Sequence, residues 1–153
     1  MKRYIPLLIT IDSARVLIVG GGKAAALKAR GVARFTHNIT ILSPELKGDF
    51  SQIDFSFIAE HYTRGTALAY DLVYACTDDL VLNREIGQEC QQHNILCAIC
   101  GDSELSSFAS PATYINENIT ISVGTGGSSP RQAIFIRNQI EKLIEEGVIQ
   151  LNR

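Results

Sequence analysis

The chain of 153 residues is 46% hydrophobic and 20% charged, enough to bury one core, which predicts a single domain over residues 1–153. A formal net charge of -2 and a pI near 5.9 exclude a nucleic-acid binder that relies on a broad basic face, so an anionic ligand has to meet a local patch. No segment supplies the roughly 20 apolar residues of a membrane-spanning helix, and no membrane partner is expected.

The opening "MKRYIPLLITID" briefly imitates a secretory signal. Its apolar run, however, contains Pro6, soon reaches Asp12 and lacks a small-residue cleavage site. It reads as part of the fold of a cytoplasmic protein. Beyond it, apolar runs rich in β-branched residues recur at "RVLIV", "NITIL", "FSFIA", "LVYAC", "ILCAI" and "ITISV". Helix-like stretches separate several of them, which predicts an α/β fold: a Rossmann-like, mainly parallel sheet with helices on both faces. Continuous rather than alternating apolarity suits strands covered on both sides.

Three helices are expected, at roughly Lys23 to Phe35, Leu80 to Gln92 and Arg131 to Glu146. The last has the clearest start, with Ser129 to cap it and Pro130 at the first helical position. Its apolar positions Ala133, Ile136, Ile140, Leu143 and Ile144 have helical spacing, and Ile134 and Phe135 widen the stripe. The surplus predicts contact with a partner chain, so about 113–153 is a dimerisation segment in this reading. Loops are expected at "SPELKGDFSQ", "GDSELSSFASPATYINEN" and "GTGGSSP".

The four cysteines, Cys76, Cys90, Cys97 and Cys100, are expected as free thiols in a reducing compartment. "CAIC" has redox or metal spacing, but it lies in the apolar run "NILCAIC". Residues three apart on a strand point to opposite faces, which favours a buried structural pair. His37, His61 and His93 are scattered and form no HExxH pattern, so no metal site is expected.

The first turn, "VLIVGGGKAAALKARGV", carries the chemistry. Gly20, Gly22 and Ala25 give G-x-G-x-x-A between a strand and a helix. The first allows a tight turn, the second lets backbone approach a diphosphate, and the third is small enough for close helix-to-strand packing. Gly20, Gly21, Gly22, Lys23, Ala24 and Ala25 thus form a cradle for a dinucleotide, whose anionic bridge meets helix N–H groups. The bland alternative is an ordinary strand-to-helix turn. The second strand runs into "SPEL", so Ser43 stands where a ribose-binding carboxylate is usual and Glu45 lies just past it; no Arg is there to meet a 2′-phosphate, which favours NAD over NADP. Ser43 is equally a turn residue before Pro44. Thr77, Asp78 and Asp79 follow the fourth strand, where Thr77 and Asp78 either line the cofactor cleft or cap the next helix. In "VGTGGSSPRQ", Thr125, Gly126, Gly127, Ser128 and Arg131 could hold a substrate carboxylate, or form a well-capped connector.

Taken in order, "YIPLLITIDSARVLIVGGGKAAALKAR", "ITILSPEL", "LVYACTDDLVLNREI", "SELSSFASPA" and "ITISVGTGGSSPRQAIFIRNQIEKL" resemble the precorrin-2 dehydrogenases, the NAD-dependent enzymes and domains of siroheme biosynthesis. The resemblance runs almost the full length. It implies a homodimer that oxidises a tetrapyrrole, precorrin-2, to sirohydrochlorin with NAD, and in some members inserts ferrous iron. A carboxylate there accepts the proton that hydride removal releases. This chain departs from the family in "AICGDSELSSFASPA": Ala98 replaces an Asn, Gly101 replaces the functional Asp, and Asp102 stands one place later. Asp102 is therefore either the displaced base or a solvated turn residue. The family's helical tail is also absent before Arg153, which implies a substrate site left incomplete or completed by another protein. The alternative function is a dinucleotide-binding module without catalysis that senses NAD or binds another tetrapyrrole-pathway enzyme.

Overall fold

The computed structural model describes residues 3–117 and 119–151. Five strands, β1 (Val16–Val19), β2 (Ile39–Leu42), β3 (Ser56–Ile58), β4 (Leu72–Ala75) and β5 (Leu96–Ile99), form one sheet. Their order is β3-β2-β1-β4-β5, and every pairing is parallel. Helix α1 (Lys23–Ala33) follows β1 and α2 (Leu80–Gln92) follows β4.

The unbroken apolarity of "VLIV" has a direct cause. Val16 and Ile18 lie in one buried cluster with Ala25, Ala26, Ala29 and Val32 of α1. Leu17 and Val19 lie in the other, with Ile86 and Cys90 of α2. One helix thus covers each face, as the sequence predicts. Each fully buried Leu17, Ile18, Ile41 and Ile86 contributes about 1.5–3 kcal/mol, which makes the sheet a stiff platform for the loops at its edge.

The register aligns those loops. Val19 pairs with both Leu42 and Ala75, and Ala75 with Ile99. The residues that follow, Gly20, Ser43, Cys76 and Cys100, therefore leave the sheet at one carboxyl edge. β1 connects to β2 on one side while β4 flanks it on the other, so the strand order reverses between β1 and β4. Ligands of open α/β sheets bind at such a switch point.

The cysteines divide between the two faces. Cys97 points into the α2 cluster with Cys90, whereas Cys76 and Cys100 belong to the α1 side. The expected opposite facing of Cys97 and Cys100 holds. The expectation of four free thiols does not: Cys76 and Cys100 form a disulfide with a Cα–Cα distance of 5.1 Å, while Cys90 and Cys97 are free and buried. The reason is register, because positions 76 and 100 extend the Ala75–Ile99 pairing by one residue and share a face. The Cys97 thiol, hydrogen-bonded to Cys90 and buried, is held well above its ordinary range.

The chain divides into two compact units, Pro6–Phe108 and a second made of Met1–Ile5 with Ala109–Arg153. In the second, β6 (Ala112–Asn116) and β7 (Ile119–Val123) form an antiparallel hairpin, packed against α3 (Pro130–Glu145). β6 occupies the end of a segment expected to be loop. Its five residues follow Pro111, and only the pairing with β7 defines it as a strand. Helix α3 buries Ala133 and leaves Ile134 and Phe135 exposed. Among the described residues no helix is long and apolar enough to cross a membrane.

Candidate functional site

The first glycine turn lies at the switch point. Gly20 has φ +122°, and a Cβ built on it would stand 2.4 Å from the Cys76 carbonyl oxygen at the end of β4. Only glycine lets the two strand ends approach this closely. A Cβ on Gly21 would strike the Glu45 carbonyl at 1.9 Å. The Gly21 carbonyl accepts hydrogen bonds from the Lys47 and Gly48 N–H groups, both at 2.8 Å, so residues 45–48 are strapped over the turn. At Gly22 the situation reverses: a Cβ there would meet nothing within 4 Å.

Gly22 is the N-cap of α1, and no side chain caps this helix. Its first-turn N–H groups, at Lys23, Ala24 and Ala25, have no carbonyl partner within the helix and carry its positive end. Lys23 and Ala24 are exposed and Ala25 is fully buried, as the small third position of the pattern requires. The open space, bare donors and close β1–β4 approach fit a dinucleotide diphosphate.

Ser43 is 8% exposed and its hydroxyl donates to the Glu45 carbonyl at 2.9 Å. It braces the strap beneath Gly21, the turn role that the sequence offered beside the ribose role. Glu45 is exposed and pairs with Lys47 at 2.6 Å; that hydrogen bond raises the Lys47 ammonium above its ordinary range.

At the end of β4, Asp79 caps α2 by accepting from the N–H groups of Val81 and Leu82. Neither Thr77 nor Asp78 does. Asp78 is exposed, and Thr77 is held by Asn83, a residue the sequence reading missed. Fully buried, Asn83 accepts from the Thr77 N–H at 3.1 Å and hydroxyl at 2.7 Å and donates to the Thr77 carbonyl at 2.9 Å. A polar residue on the buried face of "LVLNREI" was its only signal.

Beyond β5 the chain reverses within four residues. The Asp102 N–H bonds to the Ile99 carbonyl at 3.3 Å, with Cys100 and Gly101 at the corner and Gly101 at φ +85°. Glycine suits this corner, since a side chain is strained at that φ. Asp102 Oδ1 accepts from the N–H groups of Glu104 and Leu105 at 2.9 and 3.4 Å, and Oδ2 pairs with Arg84 Nε at 3.0 Å. The Glu104 N–H, and Arg84 after it, hold the Asp102 carboxyl below its ordinary range.

In the second unit, the hydroxyls of "GTGGSSPRQ" are spent on the turn. Thr125 Oγ1 donates to the Ser129 carbonyl at 3.0 Å and accepts from the Ser129 N–H at 3.2 Å. Ser128 Oγ donates to the Thr125 carbonyl at 2.6 Å, and Ser129 Oγ caps α3 through the Gln132 N–H at 3.2 Å. Gly126, Gly127 and Arg131 are exposed. Among the described residues no group of three or more His, Cys, Asp or Glu could hold a metal ion.

Comparisons with known proteins agree with this geometry. Residues 7–112 match a family model whose description reads "Putative NAD(P)-binding". The chain is 34% identical over 143 residues to siroheme synthase 2 of Aeromonas hydrophila subsp. hydrophila, covering 92% of this chain and 30% of that one. It is 30% identical over 154 residues to the siroheme synthase of Chromobacterium violaceum, covering 98% and 33% respectively. The chain thus spans about a third of the length of these curated relatives. Among solved structures, "SirC, precorrin-2 dehydrogenase" matches with a TM-score of 0.76 at 17% identity, over 91% of this chain and 70% of that one. That likeness establishes the fold.

Proposed function

We infer the function from one premise: the chain belongs to the NAD(P)-binding family that its residues 7–112 match. On it we propose NAD-dependent oxidation of precorrin-2 to sirohydrochlorin, a step of siroheme biosynthesis. The observation that carries the dinucleotide half is the uncapped start of α1 beside open space at Gly22. The tetrapyrrole half is supported by the siroheme synthases to which the chain is similar.

In this reading the N–H groups of Lys23, Ala24 and Ala25 hold the diphosphate, and Thr77 and Asp78 border it across the switch point. Ser43 stands where a carboxylate usually bonds a ribose 2′-hydroxyl, Glu45 lies just past it, and no Arg is beside them in the sequence to meet a 2′-phosphate, which favours NAD over NADP. NAD, when bound, accepts a hydride from the reduced macrocycle. The proton that leaves with it goes to Asp102 Oδ2, and Arg84, whose side chain is 65% exposed, swings aside to admit it. A second copy of the chain covers Ile134 and Phe135, the apolar side chains that α3 leaves exposed. Iron insertion stays outside the proposal.

A second reading, a dinucleotide-binding module without turnover, is favoured by one observation: both Asp102 oxygens already have partners. Turnover of precorrin-2 with NAD decides between them. The dehydrogenase reading expects sirohydrochlorin absorbance to rise and Asp102→Asn to lose about 10²–10⁴-fold in rate. NAD binding without product supports the module, and a protein that binds no dinucleotide refutes both.

A further inference from the structure

The Cys76–Cys100 disulfide joins the two strand ends that carry the proposed machinery. Cys76 precedes Thr77 and presents its carbonyl to the Gly20 turn. Cys100 is the first corner residue of the turn that ends at Asp102. We propose that Cys76–Cys100 is a thiol–disulfide exchange site that locks the Asp102 turn, opened by a soluble dithiol. The kinetic arm of this proposal rests on the dehydrogenase reading above; the lock itself does not.

The asymmetry between the two ends determines which one moves. Cys76 is 4% exposed, its N–H bonds to the Val19 carbonyl at 2.8 Å, and its own carbonyl is wedged against Gly20. Cys100 is only partly buried; its N–H is held by the Ala75 carbonyl at 2.9 Å, but the Gly101–Asp102 corner beyond it is tied back to Ile99 only by a long 3.3 Å backbone bond and by the Ser106 hydroxyl, which donates to the Asp102 carbonyl and accepts from the Ile99 N–H. When the bond opens, both backbone N–H ties to the sheet stay and the Gly101–Asp102 corner, with the Cys100 side chain, yields. Asp102 Oδ1 is bonded to N–H groups of its own loop, but the Oδ2 bond crosses to Arg84 on α2. That crossing bond is the one a loosened turn gives up, and it frees the oxygen proposed to take the proton. The disulfide form is thus the closed form.

The exchange balances with a dithiol as the only co-reactant. A reductant thiolate attacks Sγ of Cys100, the less buried of the two, the S–S bond breaks, and Cys76 leaves as thiolate and is protonated. The second reductant thiol closes on the mixed disulfide and releases Cys100. Two electrons and two protons pass from the dithiol, which becomes a cyclic disulfide. Cys90 and Cys97, buried on the opposite face of the sheet, take no part.

The test equilibrates the full chain with mixtures of a soluble dithiol and its disulfide, then combines alkylation mapping with amide hydrogen exchange. A peptide pair linked through Cys76 and Cys100 is expected on the oxidising side. On reduction, exchange at 101–105 should accelerate by about tenfold or more, as for a turn released from a covalent tie. Cys100→Ser and, independently, Cys76→Ser should exchange fast under both conditions. Dinucleotide affinity should not respond, whereas kcat for precorrin-2 should rise on reduction. Separate alkylation of Cys76 and Cys100 under oxidising conditions overturns the proposal. So does equal exchange at 101–105 in both states. A protein that links and releases the turn as described yet never oxidises precorrin-2 supports the lock and counts against the dehydrogenase reading.

Discussion

Two glycine-rich turns lead into helices in this molecule, and they end in opposite states. "VGGGKAAA" delivers α1 with glycine at its N-cap and no capping side chain. "GTGGSSPRQ" delivers α3 with Ser129 as cap, Pro130 inside the first turn and Thr125 and Ser128 bonded back into the turn. Glycine content does not distinguish them. What distinguishes them is whether side chains have already used the helix donors: the second turn caps its own helix, and the first leaves its donors to a ligand of the kind proposed above.

The largest expected effect breaks the comparison at its glycines. Gly20→Ala places a methyl group against the Cys76 carbonyl at a φ that side chains rarely adopt. It should cost about 3 kcal/mol or more through overpacking and backbone strain. Gly124→Ala, where a Cβ meets nothing within 4 Å, should stay within about 0.5 kcal/mol. Denaturant midpoints of the two variants measure the difference. Ser129→Ala should come next, losing about 1 kcal/mol as α3 loses its cap; thermal melts would reveal it, and dinucleotide affinity should be unaffected.

The smallest effect is in pH. Asp49, Asp71 and Asp102 have carboxyls held below the ordinary 3.8, chiefly by the Ser51 hydroxyl, the Arg15 N–H and the Glu104 N–H respectively. Their folded values are lowered, so their stabilisation is complete above 3.8 and is lost as pH falls through the lowered values. Unfolding followed by circular dichroism should therefore be flat from neutral pH down to that point and weaken below it. Dinucleotide binding should be flat from about pH 5 to 8, because the cradle holds the diphosphate by backbone N–H groups.

Much of this was legible in the residues because spacing alone encodes it. Strand apolarity without alternation placed one helix on each face, and α2 occupies Leu80–Gln92 as read. G-x-G-x-x-A located the tight β1–α1 turn, since each position has its own steric demand. The remainder depends on which side chain reaches which group. Asp79, not Thr77 or Asp78, caps α2, and Ser43 turns toward Glu45 rather than outward. Asn83 holds Thr77 from six residues away, which no local pattern states. The Cys76–Cys100 bond needed the register of β4 on β5, known only once the strands are paired. The Asp102 turn depended on a positive φ at Gly101, a conformation the family comparison alone does not announce.

The central claim is that α1 begins as a diphosphate site, and Gly22→Asp tests it most directly. Asp is a good N-cap and its Cβ meets nothing here, so the variant should melt at or slightly above the native temperature, by a few tenths of a kcal/mol. Its carboxylate would occupy the donors meant for the ligand and repel the diphosphate. Calorimetric titration with NAD should show binding to the native chain and a loss of about 100-fold or more in the variant. Equal affinity of the two proteins would contradict the account.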